Sequence, residues 1–422
     1  MRGTGKVWLR LPFGGGEETV AVDAESLLGV VLPQDGEEPG DEAGLVRQAL
    51  AQPVGSPPLR RLVRSGQKVA IITSDLTRPC PSERLLPAVL DELAAGGIAD
   101  ADIEVIIALG LHRPMEEAEL RRAVGEAVFS RVRVTNHDPE NTVHLGVTSA
   151  GTPVELFTPL VEADVRVCLG NLEFHYFAGF SGGAKAILPG CASRATVDAN
   201  HAMMVRPEAV AGRLEDNPVR RDIEEGVDMV GVDFILNVVV DGQHRIVEAV
   251  AGNVERAHRQ GCQRVVERGA VAIEARADIA LVSAGGYPKD VNLYQAQKAL
   301  DNAAGAVRQG GVIIWLAECR EGLGEETFEE WLLQASSPDE LVQRIQREFV
   351  LGGHKAAAMA AVQQRAGVYL VSALEADLVR RCGMEPFTGI DQALARARQE
   401  VGPTARIVAM PQGGSVLPVA PD

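Results

Sequence analysis

The chain has 422 residues, 46% of them hydrophobic, 23% charged and 4% aromatic, and carries a net charge of −17. That length exceeds one ordinary hydrophobic core and implies two domains, while the low charge content and large apolar fraction exclude a disordered chain. The acidic balance, without clusters of Lys and Arg, excludes a nucleic-acid or anionic-membrane partner, and so few aromatics leave no base-stacking platform.

Six cysteines at 80, 168, 191, 262, 319 and 382 form no C-x-x-C pair, the pattern of reduced thiols in a cytoplasmic protein rather than of a disulfide frame. Neither a signal-peptide core nor an apolar run of about eighteen residues is visible, so a soluble, cytoplasmic chain is expected.

In chain order, residues 6–11 alternate at period two and 19–22 follow a glycine turn, predicting an opening β-hairpin. Residues 33–42 are acidic and rich in Pro and Gly, a surface loop, and a helix follows over 42–52. The first buried strand, 68–72, runs into Thr73-Ser-Asp-Leu-Thr-Arg-Pro79, after which a helix begins near Ser82. In open α/β sheets the loops leaving the carboxyl ends of the strands form the ligand crevice, so Asp75 can accept from ribose-like hydroxyls and Arg78 can clamp a carboxylate or phosphate. A local Asp–Arg pair that merely holds the turn is the other reading.

A second strand, 103–109, leads to His112, whose imidazole suits proton transfer near neutral pH. A third, 132–134, ends in Asn136-His137-Asp138-Pro139, where His137 reads as turn scaffolding and stays outside the site. A hairpin-like segment over 143–156 and an apolar strand over 165–169 follow.

The densest stretch is 171–201. It holds His175, the turn Gly179-Phe-Ser-Gly-Gly-Ala-Lys185 and His201. Gly182 and Gly183 allow backbone N–H groups to converge on an anion such as a phosphate, and Lys185 sits in an apolar surround that demands a partner or a covalent role. It is not a Walker A loop, because Ala184 and Ala186 stand where the second glycine and the hydroxyl belong. Glycines that only permit tight packing, and histidines that are only structural, are the competing readings.

Residues 234–240 and 245–250 form a hairpin through Asp241-Gly242, and a helix over 254–275 connects the domains, with the boundary near 268. Strands at 279–283, 311–315, 368–371 and 406–410 alternate with helices in the second half. Gln295 and Lys298 lie three residues apart on one helix face, able to reach one small anion together; His354 and Lys355 open another helix without an assignable role. The expected fold class is therefore α/β, with two α/β domains, 1–268 and 269–422, and an active-site cleft between them. Three histidines at 112, 175 and 201 could also ligate zinc, a choice their spacing does not decide.

Taken together, the segments SDLTRP (74–79), LGLHRPM (109–115), NHD (136–138), FHYFAGFSGGAK (174–185) with its following Pro-Gly, Asn200-His201 and YQAQK (294–298) resemble the nickel-dependent lactate racemase family from about residue 60 onward. The resemblance implies a nickel-pincer nucleotide, a pyridinium mononucleotide whose two thiocarboxyl groups hold nickel through one carbon and two sulfurs. It implies that the first domain carries cofactor and metal and the second contributes substrate-binding residues. Asp75, Leu76, Thr77 and Arg78 would contact the nucleotide, and Gly182 and Gly183 its phosphate. Lys185 would bind the cofactor or join it covalently, and His201 would give nickel its fourth ligand.

His112 and His175 would be the two bases, one for each face of a small 2-hydroxy acid, in a racemisation by proton-coupled hydride transfer through a 2-keto acid. Arg78, Gln295 and Lys298 would orient the substrate, and cofactor-biosynthesis proteins would be partners. A metal-dependent hydrolase and a non-catalytic nickel- or nucleotide-binding protein are the rival classes.

Overall fold

The structure, a computed structural model, describes residues 5–33 and 40–421; most of the acidic loop expected over 33–42 lies outside them. The chain divides into two units, one of residues 36–267 and one that joins residues 1–35 to 268–422.

The chain opens with an antiparallel hairpin, β1 (Lys6–Phe13) and β2 (Gly16–Asp23), then β3 (Leu27–Val30). The unit of residues 36–267 is built on β4 (Val69–Ser74), β5 (Ile103–Ala108), β6 (Arg133–Asn136), β7 (Val165–Asn171), β8 (Phe234–Val240) and β9 (Ile246–Gly252). They form one sheet in the order β9-β8-β7-β4-β5-β6, parallel throughout except for the β8–β9 hairpin. Near-continuous Val and Ile runs are what strands covered on both faces require. Helix α1 (Ser82–Ala95) shows how the cover is made. Leu85, Leu86, Val89, Leu90 and Leu93 recur at helical spacing and pack with Ile71, Val105 and Ile107 of the sheet.

Three further helices of this unit matter to the site: α2 (Arg194–His201), α3 (Pro218–Asp228) and α4 (Val254–Gly269). The helix expected to continue to 275 stops at Gly269, because Ala270–Ala272 is a strand paired with Leu417–Val419. The hairpin expected over 143–156 is present as Thr142–Val147 with Pro153–Phe157.

The second unit has β10 (Ala277–Ser283), β11 (Val307–Leu316), β12 (Gly367–Val371), β13 (Glu385–Phe387) and β14 (Ile407–Met410), with helix α5 (Leu293–Ala304) after β10. The sheet order is β13-β12-β11-β10-β14-β3, all parallel. Its edge strand β3 thus comes from the amino-terminal end of the chain. Leu9, Leu11, Val20 and Val22 of the hairpin pack in one core with Ile279, Leu281 and Ile314. Gly14 N donates to the buried Asp290 Oδ2 at 2.7 Å, and Ser283 Oγ donates to Pro12 O. Residues 1–35 therefore belong with the carboxyl-terminal unit and not with the one that follows them in sequence. A period-two pattern tells which hairpin face is apolar, but not which sheet it covers.

Candidate active site

Three loops at the carboxyl ends of β4, β5 and β7 carry the candidate residues of the first unit. After β4 the chain turns on Asp75, whose Oδ1 accepts from Thr77 N at 3.1 Å and Thr77 Oγ1 at 2.6 Å. Its Oδ2 lies 2.6 Å from His112 Nδ1 in the loop after β5. Burial alone would push this carboxyl up, but the bonds from His112 and Thr77 outweigh it and hold Asp75 below the ordinary carboxylate range. A carboxylate accepts, so Nδ1 of His112 carries the hydrogen and Nε2 is left as the basic nitrogen. Leu76, Thr77 and Arg78 are exposed on the same turn. Of the protein partners open to Asp75, it is His112 and Thr77 that its side chain bonds, where the sequence suggested Arg78.

The loop after β7 is the larger. Phe174–His175 pairs with Gly179–Phe180 as a minute hairpin, so His175 is set by backbone register. Ala178 N donates to His175 Nδ1 at 3.3 Å, which leaves Nε2 as the hydrogen-bearing nitrogen, the opposite tautomer to that of His112. Phe177 is the hub of the cluster. Its ring meets His175 edge-on at 4.5 Å and His201 at 4.9 Å, and Lys185 Nζ stands 5.5 Å from its centroid. His201, the last residue of α2, is buried.

Electrostatically the cluster is one-sided. Desolvation, then the charges of Arg220 and Arg78, pull the Lys185 amine well below its ordinary value. Desolvation, then Lys185, Arg78, His201 and Arg220, do the same to His175. Both side chains keep some accessible surface, yet protein surrounds them closely enough for desolvation to dominate. Cations gathered in this way make a site for an anion.

The loop is held from behind by residues that motif reading missed. Asn217 Nδ2 donates to Phe177 O at 2.8 Å, Arg220 Nε to Ala178 O at 3.3 Å and Arg220 Nη2 to Phe180 O. His258 Nε2 donates to Ser181 O at 2.9 Å, and Gly183 N to Asn237 Oδ1 at 2.8 Å. Gly182 and Gly183 have φ of 72° and 58°. A Cβ on Gly182 would stand 2.8 Å from Asn237 Oδ1, and one on Gly183 2.7 Å from the His258 ring. The glycines are thus demanded by the wall behind the loop, and the case for an anion rests on the cations.

Asn200, one residue before His201, is buried and donates to Asp222 Oδ2 at 2.7 Å and Val219 O at 3.2 Å. Among the described residues no three His, Cys, Asp or Glu side chains converge as a metal-ligand set. His137 is buried against Phe157 and apart from this chemistry. Gln295 and Lys298 belong to the other unit, on the first turns of α5, where Gln295 is exposed and Lys298 partly buried.

Comparison with known proteins decides the family. Residues 13–212 match the lactate racemase N-terminal domain family and residues 272–418 the lactate racemase C-terminal domain family. The chain belongs to the lactate racemase family. It is 34% identical over 421 residues to a lactate racemase of Thermoanaerobacterium thermosaccharolyticum, covering 97% of this chain and 98% of the relative. A lactate racemase of Lactiplantibacillus plantarum is 33% identical over 424 residues, 97% and 99% of the two chains. The solved structure of the Thermoanaerobacterium lactate racemase apoprotein superposes with a TM-score of 0.87, covering 98% of this chain and all of that one. A Thermotoga maritima protein at 19% identity and TM-score 0.63, matched over 91% of this chain and 100% of that one, shares the fold. As a lactate racemase family member the chain is an isomerase, with the mixed α/β, two-domain architecture its sequence predicts. All six cysteines are free, and among the described residues no helix is long and apolar enough to cross a membrane.

Proposed function

We propose that this enzyme interconverts the enantiomers of lactate or a related short 2-hydroxy acid in the cytoplasm, with a nickel-pincer nucleotide as its resident cofactor. The observation that carries the reading is one loop that sets His175 and Lys185 4.5 and 5.5 Å from the Phe177 ring and is tied by Arg220 at Ala178 O and Phe180 O, with desolvation and like charge both acting against the Lys185 ammonium. Such a donor set fits a phosphate-bearing guest. A single buried imidazole, His201, fits a metal whose other donors come from the cofactor itself.

When bound, that group supplies the hydride acceptor. The chain's own residues do the rest. His112, held at Nδ1 by Asp75, takes the substrate hydroxyl proton at Nε2, and His175, whose hydrogen sits on Nε2, is the proton donor on the opposite face. A proton acceptor on one face and a proton donor on the other are what inversion at carbon demands. Arg78, Gln295 and Lys298 orient the substrate carboxylate, the 75–78 turn and Gly182-Gly183 face the nucleotide, and Lys185 pairs with the cofactor or joins it covalently. Cofactor-biosynthesis proteins are the implied partners.

The test is coexpression with the cofactor-making enzymes, native and denatured mass spectrometry, and a chiral assay over a panel of 2-hydroxy acids. His112→Ala and His175→Ala are expected to abolish racemisation with nickel still bound, and His201→Ala to lose nickel. Identical behaviour of the two classes would refute this division of labour.

A further inference from the structure

The functional reading uses the charge of Arg220 but does not explain why that side chain is buried. It lies on α3, is fully buried, and is among the largest side chains so enclosed. Buried guanidinium groups are normally matched by carboxylates, because an unmatched internal charge costs several kcal/mol. Among the described residues Arg220 has no such match. Nε and Nη2 donate to the neutral carbonyls of Ala178 and Phe180, and Nη1 has no partner among the described residues. The carboxylate whose charge it feels, Glu224, is already held by Arg259 through bonds of 2.7 and 2.9 Å. Burial pulls the group down to about 10, so it remains charged at neutral pH.

The two carbonyls that Arg220 holds belong to the loop that carries His175 and Lys185, and its charge is felt by both. Its neighbour Arg221 on the same helix is exposed. The inward position is therefore specific to residue 220.

We propose that Arg220 is a positioning residue for the cofactor's phosphate: it fixes the 177–185 loop through Ala178 O and Phe180 O, and its unmatched positive charge is balanced by the anion the loop receives. This rests on the cofactor reading above, and it assigns to a residue outside every recognised motif the long-range attraction that a net charge of −17 otherwise denies an anionic guest.

The test uses the full chain purified without the cofactor-making enzymes. Inorganic phosphate and nicotinic acid mononucleotide, a pyridinium mononucleotide, are titrated by calorimetry at two salt concentrations. Arg220→Lys keeps a charge and gives up the fork; Arg220→Gln keeps an amide donor and loses the charge. Wild type and Arg220→Lys are expected to bind within a few-fold of each other, and Arg220→Gln at least about tenfold more weakly with a shallower salt dependence. Arg220→Gln binding as tightly as wild type, or Arg220→Lys failing as badly as Arg220→Gln while melting normally, overturns the charge role alone. A wild-type chain that binds neither probe removes the phosphate reading of the loop and this inference with it. If the variants do not fold, the wild type still answers: the guanidinium nitrogen resonances of Arg220 must shift on saturation with phosphate, and unmoved resonances reject the proposal.

Discussion

Asp75 Oδ2 and His112 Nδ1 lie 2.6 Å apart, and the two residues come from loops after neighbouring strands of one sheet. Pairing of β4 with β5 therefore builds the dyad, and the carboxylate fixes which imidazole nitrogen is basic. In Asp75→Asn that fixation goes, so kcat is expected to fall about 10²- to 10⁴-fold with KM nearly constant. The carboxyl is held below its ordinary range, so its contribution is present at neutral pH and lost only as pH falls through the lowered value. Steady-state racemisation assays with nickel content measured on the same samples decide the matter; a variant that binds less cofactor but keeps its kcat per bound nickel would make Asp75 a nucleotide contact and not the holder of a base.

His137 supplies a stability prediction independent of catalysis. It is 1% exposed, and desolvation lowers it from 6.5 to about 4 despite the favourable charge of Asp138. The unfolded chain takes up a proton near pH 6.5 and the folded chain resists it until about pH 4. Stability is thus fully present above the unfolded value and drains as pH falls through this window, by roughly 3 kcal/mol at most. His175 and His258 are lowered too, so the difference between wild type and His137→Leu is the informative curve. Melting temperatures from pH 7 to 4 are expected to fall less steeply in the variant, and parallel curves would reject the assignment.

Gly183→Ala separates steric demand from backbone strain. At φ 58° an alanine pays the left-handed penalty and also meets the His258 ring at 2.7 Å, a ring tied to Ser181 O. Gly231, at φ 76°, has nothing within 4 Å of its added Cβ. Gly231→Ala should therefore cost about 1 kcal/mol and Gly183→Ala about 2–4 kcal/mol, with loss of racemisation only in the latter. Chemical denaturation of both variants checks the difference, and equal costs would mean that the wall behind the loop yields.

The strands were legible because burial on both faces leaves near-continuous Val and Ile runs, and the loops that follow them could be placed by the same logic. Asp75, His112, His175, Lys185 and His201 stood out as charged or titratable groups beside apolar runs. The back wall did not stand out. Arg220 and Arg221 are indistinguishable by residue type, and only the helix's orientation buries the first. Asn237, by contrast, left a trace: an amide in the middle of Phe-Ile-Leu-Asn-Val-Val-Val is a polar group in a buried strand and needs a partner. The edge strands β3 and β13, of 4 and 3 residues, are too short to show a period. The assignment of residues 1–35 depends on tertiary packing that periodicity does not encode.

Asp222 gives the last prediction, because it connects a buried hydrogen-bond cluster to the helix end that carries His201. The carboxylate is 2% exposed and accepts from Thr148 Oγ1 at 2.5 Å, Thr152 Oγ1 at 2.8 Å and Asn200 Nδ2 at 2.7 Å. Asn200 immediately precedes His201 at the end of α2, so the same acceptor that closes the turn between two strands also fixes the helix end that presents the imidazole. Asp222→Asn puts an NH₂ among three donors and is expected to cost about 2–4 kcal/mol. Thr148→Val removes one donor and leaves the Asn200 bond intact. Both variants should melt at lower temperature, but only Asp222→Asn should also lower nickel per chain after coexpression with the cofactor-making enzymes, as Asn200→Ala should. Equal nickel content in Asp222→Asn and Thr148→Val would mean that the cluster stabilises the fold without orienting His201.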